Sequence, residues 1–196
     1  ALFRRRPFVA LTVASFFFNF SLVSHYNFFT LFVQKEFDFP AAGYIWVIGT
    51  ASEIPVVYFS SAIIARIGMR GLFAVGSVAT AIRLAGYAAA PSVEWLMGLQ
   101  LLHAFAYGAV YLASVHYINR LAPIDMKQSA MAVFIALSIG GGGIAGSSIG
   151  GTLIRCFGFR TLFGCYAAAA ALSLVVLALF VPKLPPAEGR GVSRGA

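Results

Sequence analysis

Six stretches of this chain are long and apolar enough to cross a ~30 Å hydrocarbon core as helices, and they narrow its possible folds more than any other feature. They run over roughly residues 8–33, 41–64, 71–90, 95–118, 129–154 and 161–181. Water is absent at that depth, so each segment must pair its own backbone N–H and C=O groups, which makes each a helix. Only 10% of the 196 residues are charged, whereas a soluble domain carries about a quarter. The connections are short and leave no room for a soluble domain. The first run is too long for the core of a signal peptide and lacks a small-residue cleavage site.

The predicted fold is therefore all-α and polytopic, with three parts. Residues 1–7 read as a cytosolic linker, 8–181 as one six-helix transmembrane bundle, and 182–196, rich in Pro and Gly, as a disordered cytosolic tail. The chain opens on Ala and meets Arg4-Arg5-Arg6 at once, which suggests a cut through a linker and a missing N-terminal portion.

A net charge of +8 would point to nucleic acid in a soluble protein. Here the charges follow topology. With the N-terminus in the cytosol, the inner segments hold Arg4, Arg5, Arg6, Arg66, Arg70, Arg120, Lys127, Lys183, Arg190 and Arg194. The outer loops hold Lys35, Arg155 and Arg160, and Arg83 lies within a span. Ten cations against three give a clear positive-inside bias and place both termini in the cytosol. The expected partner is a lipid bilayer, with no nucleic acid. Cys156 and Cys165 have no neighbouring ligands, so they read as packing residues rather than a metal site or disulfide. No metal and no cofactor is expected.

The chain also carries an internal repeat. At an offset of 90 residues, Ile64-Ala-Arg-Ile-Gly68-Met-Arg70-Gly-Leu72-Phe73 aligns with Ile154-Arg-Cys-Phe-Gly158-Phe-Arg160-Thr-Leu162-Phe163, with five of ten positions identical. Each segment joins the second helix of a trio to the third. An odd number of spans per unit turns the second copy upside down, so the expected bundle is two inverted three-helix repeats.

Glu53, Arg83 and His103 sit near the middle of three successive runs. A charged side chain at mid-bilayer costs ~2.5–3.5 kcal/mol on insertion scales, so three ionisable groups at one depth suggest handling of a solute or a proton. Trp46, Gly49, Glu53 and Ser60 share one helical face, with Thr50 beside them. Gly76, Ala79, Arg83 and Tyr87 share another. Arg83 stays protonated in a protein, so it must be paired, hydrated or bound to an anion. Burial favours the neutral form of Glu53 and a nearby guanidinium the ionised form, a balance that suits a proton carrier. The alternative is a Glu53–Arg83 pair that only ties two helices together.

Gln100, His103, Tyr107, Tyr111 and Ser114 form a polar stripe at helical spacing, which reads as one wall of a solvent-lined cavity. Asn19, Tyr26 and Thr30 share a face of the first span and suit either a polar solute or helix–helix contact. His25 and His116 lie off these stripes and read as structural. In the fifth span, Gly142-x3-Gly146-x3-Gly150 and Gly143-x3-Ser147-x3-Gly151 suit close helix contact rather than phosphate binding, because no strand precedes them.

These residues resemble the C-terminal six-helix half of the major facilitator superfamily, nearest the branch that holds lactose permease, phenylpropionate permease and nucleoside–proton symporters. The resemblance rests on Asn27-Phe28-Phe29-Thr30, Glu53, Ile82-Arg83-Leu84-Ala85-Gly86, Leu102-His103-Ala104-Phe105 with Tyr117-Ile118, and the degenerate loop motif Ala65-Arg66-Ile67-Gly68-Met69-Arg70. Gln100 stands where lactose permease has a lysine, and Ala106 where it has a carboxylate. Two acidic positions of its seventh helix are Asn19 and Leu22 here. The resemblance thus implies a shared fold and midplane site without implying lactose.

It implies a secondary transporter in a bacterial inner membrane, moving a small polar or aromatic organic solute with a proton by alternating access. Glu53, Arg83 and His103 are the expected coupling residues. Asn19, Tyr26, Trp46, Gln100 and Tyr107 join them as expected solute contacts, and Gly142, Gly146 and Gly150 pack helices. A uniporter or exporter of the same fold, or a non-transporting membrane subunit, is the alternative. No His-Glu-x-x-His, intramembrane aspartate pair or Gly-x-Ser-x-Gly elbow suggests an enzyme.

Overall fold

The structure is a computed structural model that describes residues 5–183, apart from the side chains of Ser60, Ser61 and Tyr107. The expected tail thus lies almost wholly outside the described residues. The elements are α1 (Arg6–Phe37), α2 (Ala42–Tyr58), α3 (Ser60–Ala88) and α4 (Val93–Leu99), then a 3-10 segment (Gln100–Phe105) and α5 (Tyr107–Leu121). A 3-10 turn (Ile124–Met126) leads into α6 (Lys127–Phe134), a π-helical segment (Ile135–Gly141) and α7 (Gly142–Phe180). No strand occurs among the described residues. The chain is an all-α polytopic membrane protein.

Local chemistry sets the helix ends. Pro7 opens α1, where its missing N–H costs nothing. The α1 helix stops at Asp38 in a left-handed conformation (φ 50°). At the start of α4 the Ser92 hydroxyl accepts from the Trp95 N–H, with Glu94 in the first turn.

Four helical stretches among the described residues are long and apolar enough to span a membrane: Arg6–Phe37, Ala62–Ala88, Val93–Leu121 and Ile124–Phe180. The sequence reading has six runs, and the difference lies in how the connections are made. The predicted loops near 65–70 and 155–160 are single-residue breaks inside α3 and α7, at Gly68 (φ 70°, ψ 174°) and Gly158 (φ 81°, ψ 175°). A straight 57-residue stretch would be about 85 Å long, far beyond one crossing. It is folded in two instead: the Tyr166 hydroxyl donates to the Gly146 carbonyl, 20 residues back. The α2 helix, at 17 residues, is short for a crossing and is continued by the first turns of α3.

Gly68 and Gly158 are 90 residues apart and share one backbone conformation. Their neighbours show the same symmetry. The Arg70 guanidinium donates to the Ala178 carbonyl at the end of α7 (2.5 Å), and Arg160 donates to Ala88 (3.3 Å) and Ala90 (3.0 Å) at the end of α3. Arg160 and Ala178 are the repeat partners of Arg70 and Ala88, so each unit caps the last helix of the other. The cores divide likewise. Phe18, Leu72, Phe73, Tyr117 and Leu177 fill one cluster, and Phe32, Tyr87, Leu162 and Phe163 the other. The reciprocal caps are the inverted repeat in physical form.

The helix α1 runs along both halves of α7. Ser173 donates to the Ala14 carbonyl (2.7 Å) and Asn27 to the Ser147 hydroxyl (2.8 Å). At the glycines the helices nearly touch: an added β-carbon would lie 2.7 Å from the Phe16 carbonyl oxygen at Gly142 and 2.7 Å from that of Phe20 at Gly146. At Gly150 it would meet the Phe28 ring. The neighbouring row differs: Ser147 meets α1 through Asn27, but Gly143 and Gly151 face open space, which corrects their assignment to close contact. Cys156 and Cys165 are both free and exposed rather than packed.

No side-chain β-carbon sits comfortably at φ 81° with ψ 175°, a region open essentially to glycine. Gly158→Ala should therefore cost about 1–3 kcal/mol from backbone strain alone, because nothing lies within 4 Å of the new methyl. Thermal unfolding in detergent reads the loss, and Gly164→Ala, in open helical surroundings, should leave the midpoint nearly unchanged.

Candidate functional site: a carboxylate–imidazole–guanidinium chain

Glu53 on α2, Arg83 on α3 and His103 on the 3-10 segment meet in space. Glu53 Oε1 lies 3.1 Å from His103 Nε2, and Arg83 Nη1 lies 2.5 Å from His103 Nδ1. Glu53 and Arg83 are 30 residues apart, about 45 Å along a straight helix, so the reversal near Gly68 is what brings both to one imidazole.

Elimination assigns the protons. A guanidinium only donates, so Nδ1 must accept, and a neutral imidazole then carries its proton on Nε2. That N–H points at the carboxylate, which accepts it. The chain is thus a cation and an anion joined through a neutral ring. Doubly protonated His103 would present an N–H to the Arg83 donor, so in this arrangement the imidazole transmits charge without carrying it. Nitrogen NMR on histidine-labelled protein should find His103 Nδ1 without a proton. A proton on Nδ1 would break the assignment.

Exposure separates the roles. The Arg83 side chain is fully buried and His103 nearly so at 5%, whereas Glu53 is 33% exposed. Glu53 is therefore the most accessible member of the chain. Arg83 Nε and Nη2 are buried and have no hydrogen-bond partner among the described residues, and its guanidinium lies 5.9 Å from the centre of the Tyr87 ring. An unpartnered guanidinium edge of this kind suits a carboxylate or another acceptor.

An aromatic wall adjoins the chain. Tyr26 stacks on Trp46 (ring centres 5.8 Å), and both rings stand 6.4 Å from His103. Trp46 Nε1 donates to the Thr30 hydroxyl at 3.0 Å, which fixes the indole. Tyr26 is 43% exposed and so offers a face. His25, read from sequence as structural and near a span end, is fully buried in the middle of this group. Its ring lies 4.4 Å from Trp46 and 5.3 Å from His103, with Nδ1 3.4 Å from the Tyr87 hydroxyl. The helical-face analysis missed it because a straight-helix wheel places it off the polar stripe.

Other expected contacts are distributed differently. Gln100 is fully buried beneath Gly49, whose added β-carbon would lie 3.1 Å from Gln100 Oε1. Asn19 is not part of the group: it donates to the Ser15 carbonyl (2.8 Å) and lines a separate small cleft with Tyr111, Ser114 and Phe134. The polar stripe of the fourth run is interrupted. Gln100 and His103 lie in a 3-10 segment, and Ala106 (φ −76°, ψ −88°) breaks the helix before α5. A 3-10 turn has three residues, so Gln100 and His103 align, but the register with Tyr111 and Ser114 is lost. Ser114 is buried and donates to its own helix at the Val110 carbonyl. The side chains of Tyr107 and Ser60 lie outside the described residues.

Comparison with known proteins places this geometry in a family. A model of the MFS_1 like family matches residues 1–165. The maltose permease of Geobacillus stearothermophilus is 23% identical over 93% of this chain and 46% of its own length. A probable 3-phenylpropionic acid transporter of Escherichia coli is 24% identical over 60% of this chain and 31% of its own length. The multi-drug resistance efflux pump PmrA homolog of Lactococcus lactis is 31% identical over 64% of this chain and 31% of its own length. The chain spans less than half the length of these relatives, and their names are too varied to single out one branch. The family itself is clear: the chain belongs to the MFS_1 like family of the major facilitator superfamily.

Proposed function

We propose that the protein is a secondary transporter that moves a small polar or aromatic organic solute together with a proton, with this chain forming its C-terminal six-helix bundle. The observation that carries the reading is the Glu53–His103–Arg83 chain, in which one half-exposed carboxylate neutralises a buried guanidinium through a neutral ring. A proton arriving on Glu53 removes the negative end of that chain. Arg83 is then a buried cation without compensation, an arrangement that costs several kcal/mol on the order of other broken buried pairs. A solute group that accepts from the Arg83 edge relieves that cost, so proton and solute favour each other's binding by linkage.

The Tyr26–Trp46 wall supplies the apolar contact, stacking a ring of the solute while the ionic chain reads its polar substituent. The relatives named for maltose and 3-phenylpropionic acid support a ring-bearing solute. Alternating access would rock this bundle against a second one around the midplane site. Arg5, Arg70, Arg120 and Lys183 gather at one end of the bundle, where Arg5 donates to the Leu121 carbonyl and Tyr117 to that of Pro182. That end would face the cytosol of a bacterial inner membrane.

The test uses full-length protein in proteoliposomes with an imposed pH step and labelled maltose and 3-phenylpropionate as the first probes. Accumulation above equilibrium, with proton influx triggered by the same solute, is the expected result. A solute that only equilibrates, with no response to the pH step, would remove proton coupling and leave facilitated diffusion.

A further inference from the structure

A cavity lies away from the ionic chain, at the basic end of the bundle. It is a cleft of about 1040 Å³ between the Gly68 turn, the end of α5 and the end of α7. Four cations line it: Arg66, Arg70, Arg120 and Lys183. Among the described residues, no lining residue is acidic. Arg66, Arg120 and Lys183 are exposed, while Arg70 is half-buried and tethered to the Ala178 carbonyl. The rest of the wall is apolar: Gly71 and Ala74 on α3 and Leu174 and Ala178 on α7 line it. The Tyr117 hydroxyl holds the Pro182 carbonyl at 2.7 Å and so fixes the segment that carries Lys183.

From this arrangement we infer that the cleft is a binding site for an anionic phospholipid of the cytosolic leaflet. Its phosphate headgroup sits among Arg66, Arg70, Arg120 and Lys183, and an acyl chain lies against the apolar wall that holds Gly71, Ala74 and Leu174. The occupant follows from two chemistries on one surface. Four uncompensated cations select an anion, and guanidinium groups match phosphate geometry. The apolar wall then disfavours a small hydrophilic anion as a full occupant, since it would leave that wall bare. Cations near an anionic leaflet gain from the surface potential, which adds to the local contacts. The site reports on the Gly68 turn, because Arg66 and Arg70 flank that reversal and a bound headgroup bridges it to α5 and α7. The inference rests on the membrane fold and on the cytosolic placement of the basic end proposed above, and is independent of proton coupling.

Native mass spectrometry of the purified protein, delipidated and then titrated with phosphatidylglycerol or phosphatidylcholine in detergent, tests it. One phosphatidylglycerol should remain bound at activation energies that strip phosphatidylcholine. Arg66→Gln with Arg120→Gln should weaken its retention about thirtyfold, from two lost headgroup charges. These two residues are chosen because Arg70 also caps α7 and its loss would confound folding. Arg66→Lys with Arg120→Lys, which keeps the charge, should retain most of the binding, and circular dichroism checks that each variant is folded. Should the glutamine variant fail to fold, raising the salt concentration on the native protein gives the same reading. Equal retention of both lipids, or retention unmoved by the charge loss and by salt, would overturn the site.

Discussion

Glu53→Gln should abolish proton-driven accumulation while leaving solute exchange across the membrane intact. The amide has nearly the shape of the carboxyl, and its oxygen can still accept from His103 Nε2, now 3.1 Å from the carboxylate. What it cannot do is gain or lose a proton. In such a variant the negative end of the chain is permanently absent, as it is in the protonated protein, so solute binding persists and its link to the pH gradient is cut. Removing a linkage of the usual 1–3 kcal/mol would lower the accumulation ratio about 5–150-fold. Efflux, exchange and accumulation measured on the same proteoliposomes separate the outcomes. Loss of all three would mean that Glu53 is needed for folding or solute contact rather than coupling, and unaltered accumulation would remove it from the mechanism.

His103 offers the complementary comparison, and the geometry sets its sign. It passes charge between Glu53 and Arg83 without changing its own, so its replacement should uncouple the pair without creating a new titrating group. A residue that merely filled space would leave Glu53→Gln and native protein equally affected by its loss. Arg83 differs from both because its cost is structural as well as functional. Fully buried and with two nitrogens unpartnered among the described residues, it depends on the chain for compensation.

The residues of that chain were legible in the sequence because ionisable groups are expensive in an apolar run, and their presence there needs a reason. Glu53, Arg83 and His103 stood out on that ground before any geometry. The repeat was legible too, through Gly68 and Gly158, since a turn that needs positive φ leaves glycine at both copies. What the sequence did not disclose is departure from ideal helix geometry. The wheel that joined His103 to Tyr111 and Ser114 assumes 100° per residue. The 3-10 segment at Gln100–Phe105 and the break at Ala106 void that assumption. The π segment at Ile135–Gly141 was equally invisible, as nothing in its composition differs from the α-helix around it. His25 was missed for a related reason. Its setting is made by Trp46 and Tyr87 from other helices, and single-helix periodicity contains no information about neighbours. Asn19 was misplaced by the same limit, since one face of α1 serves two different clefts along its 32 residues.

Gly146→Val should be strongly destabilising, although it lies outside the ionic chain. A β-carbon there would lie 2.7 Å from the Phe20 carbonyl oxygen, which is backbone and cannot swing aside, and would also run into the Val23 side chain. Either α1 or α7 must move. Movement breaks more than the contact at Gly146, because the Gly146 carbonyl accepts the Tyr166 hydroxyl and Tyr166 stacks on Phe20 at 4.7 Å. The expected loss is about 3 kcal/mol, at the upper end of overpacking costs. In a membrane this seam has no hydrophobic driving force to fall back on, since lipid is as apolar as the side chains, and close packing is what holds the helices together. Gly143→Val, three residues earlier and facing open space, is the control and should change stability by a few tenths of a kcal/mol at most, about the scale of helix propensity. Thermal unfolding in a single detergent, followed by the fluorescence of Trp46 and Trp95, compares the two. Because α1 also carries Tyr26 and His25 into the aromatic wall, Gly146→Val should weaken solute binding in step with its loss of stability. Equal midpoints for Gly146→Val and Gly143→Val would show that the seam is looser than the structure places it.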